Sequence, residues 1–207
     1  MRRISFHILK KSKKENAKMM RIITGRAKGI KLETLKGDAT RPTSERTKEA
    51  VFSMLQFDLE GREVLDLFAG SGQMGLEAVS RGAKGATFVD KSKEAAAVIA
   101  KNIEKTRLSE SCRLLCSDVN DFIRAFRNKK KYDIVFIDPP YALRAVAPTL
   151  EALLANEMLK NTSIIVCESE EEDIFEKSLE LKEKFEVVKV AKYGVAHVTV
   201  LTVKGGE

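Results

Sequence analysis

The chain has 207 residues, 43% hydrophobic and 32% charged, which is the composition of an ordinary globular protein. No apolar run is long enough to span a bilayer, which argues against a transmembrane helix or a membrane partner. Its three cysteines, Cys112, Cys116 and Cys167, are odd in number and lack C-x-x-C spacing, so a disulfide framework or zinc site is not expected. Free thiols in a reducing cytoplasm are the expectation, with no metal centre.

The net charge of +7 is unevenly spread. Residues 1–18 carry seven Lys/Arg against one Glu, residues 19–57 eight against four, and the remainder is slightly acidic. A basic first quarter on a near-neutral body suits contact with a polyanion through counterion release; a solvated tail is the other reading. Residues 1–18 (MRRISFHILKKSKKENAK) form a basic leader, expected to be disordered, without the apolar core of a secretory signal. Met19 and Met20 follow it, so an RNA-contacting arm and an overextended start both remain open.

Residues 19–40 alternate apolar Ile22, Ile30 and Leu32 with basic positions around Gly25, the pattern of a β-hairpin. This hairpin would display Arg21, Arg26, Lys28 and Lys31 toward nucleic acid, with Arg41 and Arg46 beyond it. Arg41-Pro42-Thr43-Ser44-Glu45 is a helix-start signal, and Thr47, Ala50, Val51, Met54 and Leu55 share one face of the helix that follows.

From there strands and helices alternate. Strands are expected at 64–68, 86–89, 112–116, 132–137 and 163–167, with helices between them from 70 to 81, around Ile99, over 119–126 and around Leu150. An acidic helix is expected over roughly 171–181, then a terminal hairpin of strands 185–190 and 195–203 about Tyr193-Gly194. Strands joined by helices imply a doubly wound, largely parallel α/β sheet. Residues 41–207 are expected to form that domain behind the leader and the hairpin.

Gly70-Ser71-Gly72-Gln73-Met74-Gly75 satisfies G-x-G-x-x-G between a strand and a helix, which by itself fits a nicotinamide or an S-adenosylmethionine site. Asp66, inside the preceding strand, can hold a ligand ammonium, and this favours S-adenosylmethionine. Asp90 closes the second strand, where a carboxylate accepts ribose hydroxyls, and serves either ligand. Asp118 ends the third strand, placed for an adenine amine, with the Val119 amide beside it. Any one of these acids could instead cap a helix. Three at consecutive strand ends behind a glycine loop point to a cofactor site.

Asp138-Pro139-Pro140-Tyr141 follows the fourth strand, at the end where doubly wound sheets bind ligands. Two prolines stiffen the backbone and remove two donors. The Asp138 carboxylate and Pro139 carbonyl are then acceptors for the two hydrogens of an exocyclic amine, and Tyr141 offers a stacking face. Holding a pyramidal nitrogen frees its lone pair to attack a sulfonium methyl. A rigid strand-ending turn is the plainer alternative for the tetrapeptide alone. His7 and His197 are assigned no catalytic part.

With Arg41-Pro42-Thr43, Asp66-Leu67-Phe68-Ala69-Gly70-Ser71-Gly72 and Asp138-Pro139-Pro140-Tyr141 in this order, the chain resembles the RsmD family of bacterial 16S ribosomal RNA guanine-N(2) methyltransferases. The resemblance spans about residues 20–203. It implies a small N-terminal hairpin before a class I methyltransferase domain acting on 16S rRNA, presented by a 30S subunit or its assembly intermediate; a seven-stranded sheet in a cytoplasmic monomer is the accompanying expectation. The resemblance would put Asp66, Ala69, Gly70, Asp90 and Asp118 at S-adenosylmethionine, Asp138, Pro139 and Tyr141 at the target base, and Arg41 and Thr43 near the cofactor or base; Thr43, Phe68, Gly72 and Val119 complete the expected cofactor site and Pro140 the expected catalytic tetrapeptide.

Several rivals bear on the same motifs. A DNA adenine-N(6) methyltransferase would need a recognition element for which the chain has little room. Enzymes that methylate protein glutamine favour Asn at the Asp138 position. A nicotinamide oxidoreductase leaves Asp66 and the tetrapeptide unexplained, and a non-catalytic RNA-binding module leaves the intact reaction motifs unexplained.

Overall fold

A computed structural model describes residues 20–35 and 45–205; the leader, Arg41 and Thr43 lie outside the described residues. In chain order come α1 (Glu45–Met54), β1 (Glu63–Leu67), α2 (Gln73–Ser80), β2 (Gly85–Asp90), α3 (Lys93–Thr106), β3 (Cys112–Cys116), α4 (Val119–Ala125), β4 (Tyr132–Ile137), α5 (Val146–Ala155), β5 (Leu159–Ser169), α6 (Leu179–Lys182), β6 (Phe185–Tyr193) and β7 (Ala196–Val203). The strands form one seven-stranded sheet in the order β3-β2-β1-β4-β5-β7-β6. The first five are parallel, and β7 inserts antiparallel between β5 and β6. This is the doubly wound methyltransferase sheet with its terminal antiparallel hairpin.

Alternation along the strands feeds two cores. Val64, Phe88, Phe136, Val166 and Val198 face one side, where Phe52 of α1, Leu76 and Val79 of α2 and Ile99 of α3 cover them. Leu65, Val89, Val135, Ile165 and Leu201 face the other, beneath Phe122 of α4, Leu150 and Leu153 of α5, and Phe175. Because both faces are covered, β4 is buried throughout, which is why it reads as a continuous apolar run rather than an alternating one.

The N-terminal hairpin is reduced to a single antiparallel bridge, Arg21 with Lys31. Across it Ile22 N donates to the Ile30 carbonyl at 3.0 Å and Leu32 N to the Met20 carbonyl at 2.9 Å, while the donors of Ile23, Thr24, Arg26 and Ala27 turn to α2. Ile23 N and Thr24 N donate to the Glu77 carboxylate at 2.7 and 3.0 Å, Ala27 N to Ser80 Oγ at 3.0 Å, and Arg26 N to the Ser80 carbonyl at 2.8 Å. Residues 20–35 thus lie as a strap over what would be the wet face of α2, and all eight residues of that helix are buried. Gly25 permits the approach: its φ is +87°, and a Cβ there would sit 1.8 Å from the Ser80 carbonyl oxygen.

The expected acidic helix over 171–181 contracts to the four residues of α6. Asp173 bonds the Phe175 amide with its own side chain, Ser169 Oγ donates to the Glu171 carbonyl, and Glu176 N and Ser178 N close short turns. Such local side-chain bonds compete with helix, and the run Glu170-Glu171-Glu172-Asp173 adds like-charge repulsion.

Candidate active site

The C-terminal ends of the parallel strands gather the expected residues. Asp66 lies in β1, 4% exposed, and Phe68 follows in the left-handed region (φ 58°), a strained turn that a non-glycine residue seldom adopts. Gly70 and Gly72 also have positive φ, at 55° and 75°, so the chain reverses within three residues and α2 begins at Gln73. The Gly72 amide donates to the Ala69 carbonyl at 2.7 Å, and the Ala69 amide to the Val89 carbonyl at 3.1 Å, locking the loop against β2.

Gly75, the third glycine of the loop motif, has a steric role. A Cβ there would stand 2.4 Å from the Phe88 ring and 3.2 Å from Asp66 Oδ2, so only glycine lets the buried carboxylate sit against the helix. The Gly75 amide donates to Asp66 Oδ2 at 2.9 Å. Burial nevertheless pushes Asp66 up to about 7, offset in part by that amide and reinforced by the negative charge of Asp90. A buried carboxylate with one backbone donor and a neighbouring anion is a site short of positive charge, which fits the ammonium of an amino-acid-bearing cofactor.

Asp90, at the end of β2, accepts from the Gly70 amide at 2.9 Å through Oδ2 and from the Ser92 amide at 2.8 Å through Oδ1. Each oxygen retains a lone-pair direction for a hydroxyl donor. Asp118 is exposed and caps α4, accepting from the Asn120 amide at 2.9 Å, so the capping role considered for these acids does hold here. Val119, the first residue of α4, is buried beside it.

Asp138 follows β4, half-buried, with Pro139 buried and Pro140 exposed. Tyr141 opens a single turn of 3-10 helix, and its hydroxyl donates to Glu168 Oε1 at 3.1 Å. Burial first, then the Glu168 charge, push the Tyr141 phenol well above its ordinary range, keeping it a neutral donor. A pit beside Asp138 is walled by Thr47, Val51, Phe136, Val166, Glu168 and Val198. Glu168 was not singled out in the sequence, where it merges into the acidic run that follows; its place at the end of a strand beside Asp138 was the available signal.

Known proteins resemble the chain along most of its length. Residues 20–202 match the family described as "Conserved hypothetical protein 95". Ribosomal RNA small subunit methyltransferase D of Haemophilus influenzae is 36% identical over 166 residues, 79% of this chain and 86% of that protein. Its Escherichia coli namesake is 33% identical over 165 residues, covering 80% and 82%. The chain belongs to the RsmD family. Among solved structures, the Escherichia coli yhhF protein superposes with a TM-score of 0.77 at 28% identity, over 91% of this chain and 99% of that one.

In this RsmD-family methyltransferase the candidate site motifs share one sheet edge, whereas the basic residues expected to meet nucleic acid divide. Lys28, Lys31 and Arg46 are exposed. Arg21 donates to Glu45 at 2.8 Å and Arg26 to Ser111 Oγ at 3.2 Å, so both also tie the strap to its neighbours. Cys167, adjacent to Glu168, is buried on the opposite face of the sheet, and burial raises its thiol, which removes it as a nucleophile.

Proposed function

We propose that this RsmD-family enzyme transfers a methyl group from S-adenosylmethionine to the exocyclic N(2) amine of a guanine in 16S ribosomal RNA. The observation that carries the reading is the placement of Asp138-Pro139 and Tyr141 beside the Asp66–Gly75 loop on one strand edge. The names of the relatives supply ribosomal RNA of the small subunit as substrate class. A 30S subunit or its assembly intermediate is the proposed form of that substrate, met by a monomer in the cytoplasm. None of the described helices is long and apolar enough to cross a membrane.

In this reading Asp66 receives the cofactor ammonium, Asp90 the ribose hydroxyls and Asp118 with the Val119 amide the adenine. Gly70 and Gly72 bring bare backbone close, and Phe68 and Ala69 wall the loop. Bound S-adenosylmethionine supplies an electrophilic methyl on sulfonium sulfur. The Asp138 carboxylate and Pro139 carbonyl accept the two amine hydrogens, Tyr141 supports the base plane and Pro140 holds the turn rigid. A new N–C bond forms as the S–C bond breaks, and the surplus proton leaves the nitrogen for Asp138 or water. No strong base is needed, because the methylated nitrogen is acidic. Alignment of two bound reactants is worth about 7–11 kcal/mol of the barrier.

The test is transfer from labelled cofactor to naked RNA, 30S particles and DNA, followed by nucleoside analysis. Labelled N(2)-methylguanosine from RNA or particles is the expected product. Labelled N(6)-methyladenosine in DNA would replace this reading with the DNA-adenine one, and RNA binding without transfer would favour the non-catalytic module.

A further inference from the structure

Strands β4 and β5 are parallel neighbours in which Phe136 pairs with Val166 and Ile137 with Cys167. The next residues in that register are Asp138 and Glu168. The two acids therefore leave adjacent strand ends side by side, and both line the same apolar pit. Tyr141 ties into the pair by donating to one oxygen of Glu168, and a carboxylate offers about four lone-pair directions over its two oxygens.

Three bases carry an exocyclic amine, and they differ in the ring atom beside it. Guanine N2 is flanked by N1–H, a donor. Adenine N6 is flanked by N1 and cytosine N4 by N3, both acceptors. Asp138 alone suits all three amines. A second carboxylate alongside it suits only the contiguous donors of guanine, because facing a ring acceptor with an anion leaves two buried acceptors opposed.

We infer that Glu168 is the base-selecting residue of this site, accepting the N1–H of the target guanine while Asp138 holds the N2 amine. The inference rests on the amine-methylating reading above and adds a reason, within this chain, for guanine. It also gives the bond from Tyr141 a purpose: the hydroxyl fixes the orientation of the carboxylate that reads the base.

The test compares 30S particles reconstituted with RNA carrying, at the methylated position, either guanine or 2-aminopurine. 2-Aminopurine keeps the amine but presents N1 as an acceptor and lacks O6. Wild-type kcat/KM is expected to be about 10- to 100-fold lower on 2-aminopurine, the range for losing a hydrogen bond to a charged group. In E168Q the amide can donate to N1, and the preference should collapse to within a few-fold; a preference owed to O6 would survive that change. Y141F removes the donor to Glu168 but not the carboxylate, and should keep most of the preference while slowing both substrates.

Equal wild-type rates on the two bases, an unchanged preference in E168Q, or a collapse in Y141F matching that in E168Q would each overturn the inference. Equal wild-type rates overturn the inference without any variant, even if E168Q is inactive. Failure of the underlying reading looks different: the wild-type product on guanine would not be N(2)-methylguanosine.

Discussion

Asp66 Oδ2 and the Gly75 amide nitrogen lie 2.9 Å apart, a hydrogen bond that crosses the glycine turn from strand to helix. It holds a carboxylate whose burial raises it from 3.8 to about 7. Between those values the folded chain keeps the proton and the unfolded chain has lost it. The unfolded state then binds fewer protons, so the stability of the cofactor-free protein falls as pH rises from about 4 to 7. Asp66→Asn keeps an acceptor for Gly75 without the ionisation. The variant should melt several degrees above wild type at pH 8 without cofactor, the gap narrowing toward pH 5. A cofactor ammonium reverses the balance by favouring the ionised acid. Calorimetric binding of S-adenosylhomocysteine should therefore tighten from pH 5.5 to 7.5 in wild type only, and be about 10- to 100-fold weaker in the variant. Identical pH profiles in the two proteins would take Asp66 out of the cofactor site.

Asp138 is expected to act on the amine and not on the cofactor. Asp138→Ala should cut single-turnover methyl transfer by about 100-fold or more, the scale for losing one preorganised hydrogen-bonding group at a reacting centre. Affinity for S-adenosylhomocysteine should stay within about threefold, since the Asp66 loop is untouched. Parallel loss of binding and rate would mean that the substitution collapses the strand end, and wild-type rates would remove Asp138 from the mechanism.

The parallel core and the strand-end placement of the candidate site residues were legible in the sequence for a common reason. Buried parallel strands are continuous apolar runs, and the residues that end them here, Asp90, Asp118 and Asp138, are polar breaks in those runs. The observed β3 and β4 fall on the expected boundaries. The strap over α2 was less legible, because alternation of Ile22, Ile30 and Leu32 suits a segment lying on a helix as well as a strand in a ladder. What separates the two is Glu77, which in sequence looks like a surface helix residue. Only the tertiary structure shows it fully buried, receiving two amides of the strap. Glu168 was hidden by the acids that follow it, and the same acids suggested a helix that local turn bonds displace.

Glu77 offers the strongest test of how the strap is held. Its carboxylate takes the Ile23 and Thr24 amides and the Arg81 guanidinium at 2.8 Å, and Lys48 Nζ lies 3.5 Å away while donating to the Arg21 carbonyl at 2.6 Å. Burial lowers the Lys48 pKa, and Glu77 works against that shift. Removing one partner strands the others without solvent. Glu77→Ala should destabilise the protein by about 3–5 kcal/mol in chemical denaturation. Hydrogen exchange in residues 20–35 should rise first, because that segment loses two of its anchors. Denaturation within about 1 kcal/mol of wild type would show the network to be dispensable.

Lys28 and Lys31 stand exposed on the strap, with Arg26 beside them, its guanidinium bonded to Ser111 Oγ. If all three neutralise RNA phosphates, replacing them with alanine should flatten the dependence of log K on log salt by roughly 2, at about 0.7 per contact on single-stranded RNA. Binding should weaken while the guanine preference is retained, since these side chains lie away from the pit that holds Asp138 and Glu168. Deleting residues 1–18 in a separate protein asks the same question of the leader, whose seven basic residues would lower the slope further if they touch RNA. An unchanged slope in the triple variant would move the nucleic-acid surface off the strap, toward the exposed Arg46 of α1.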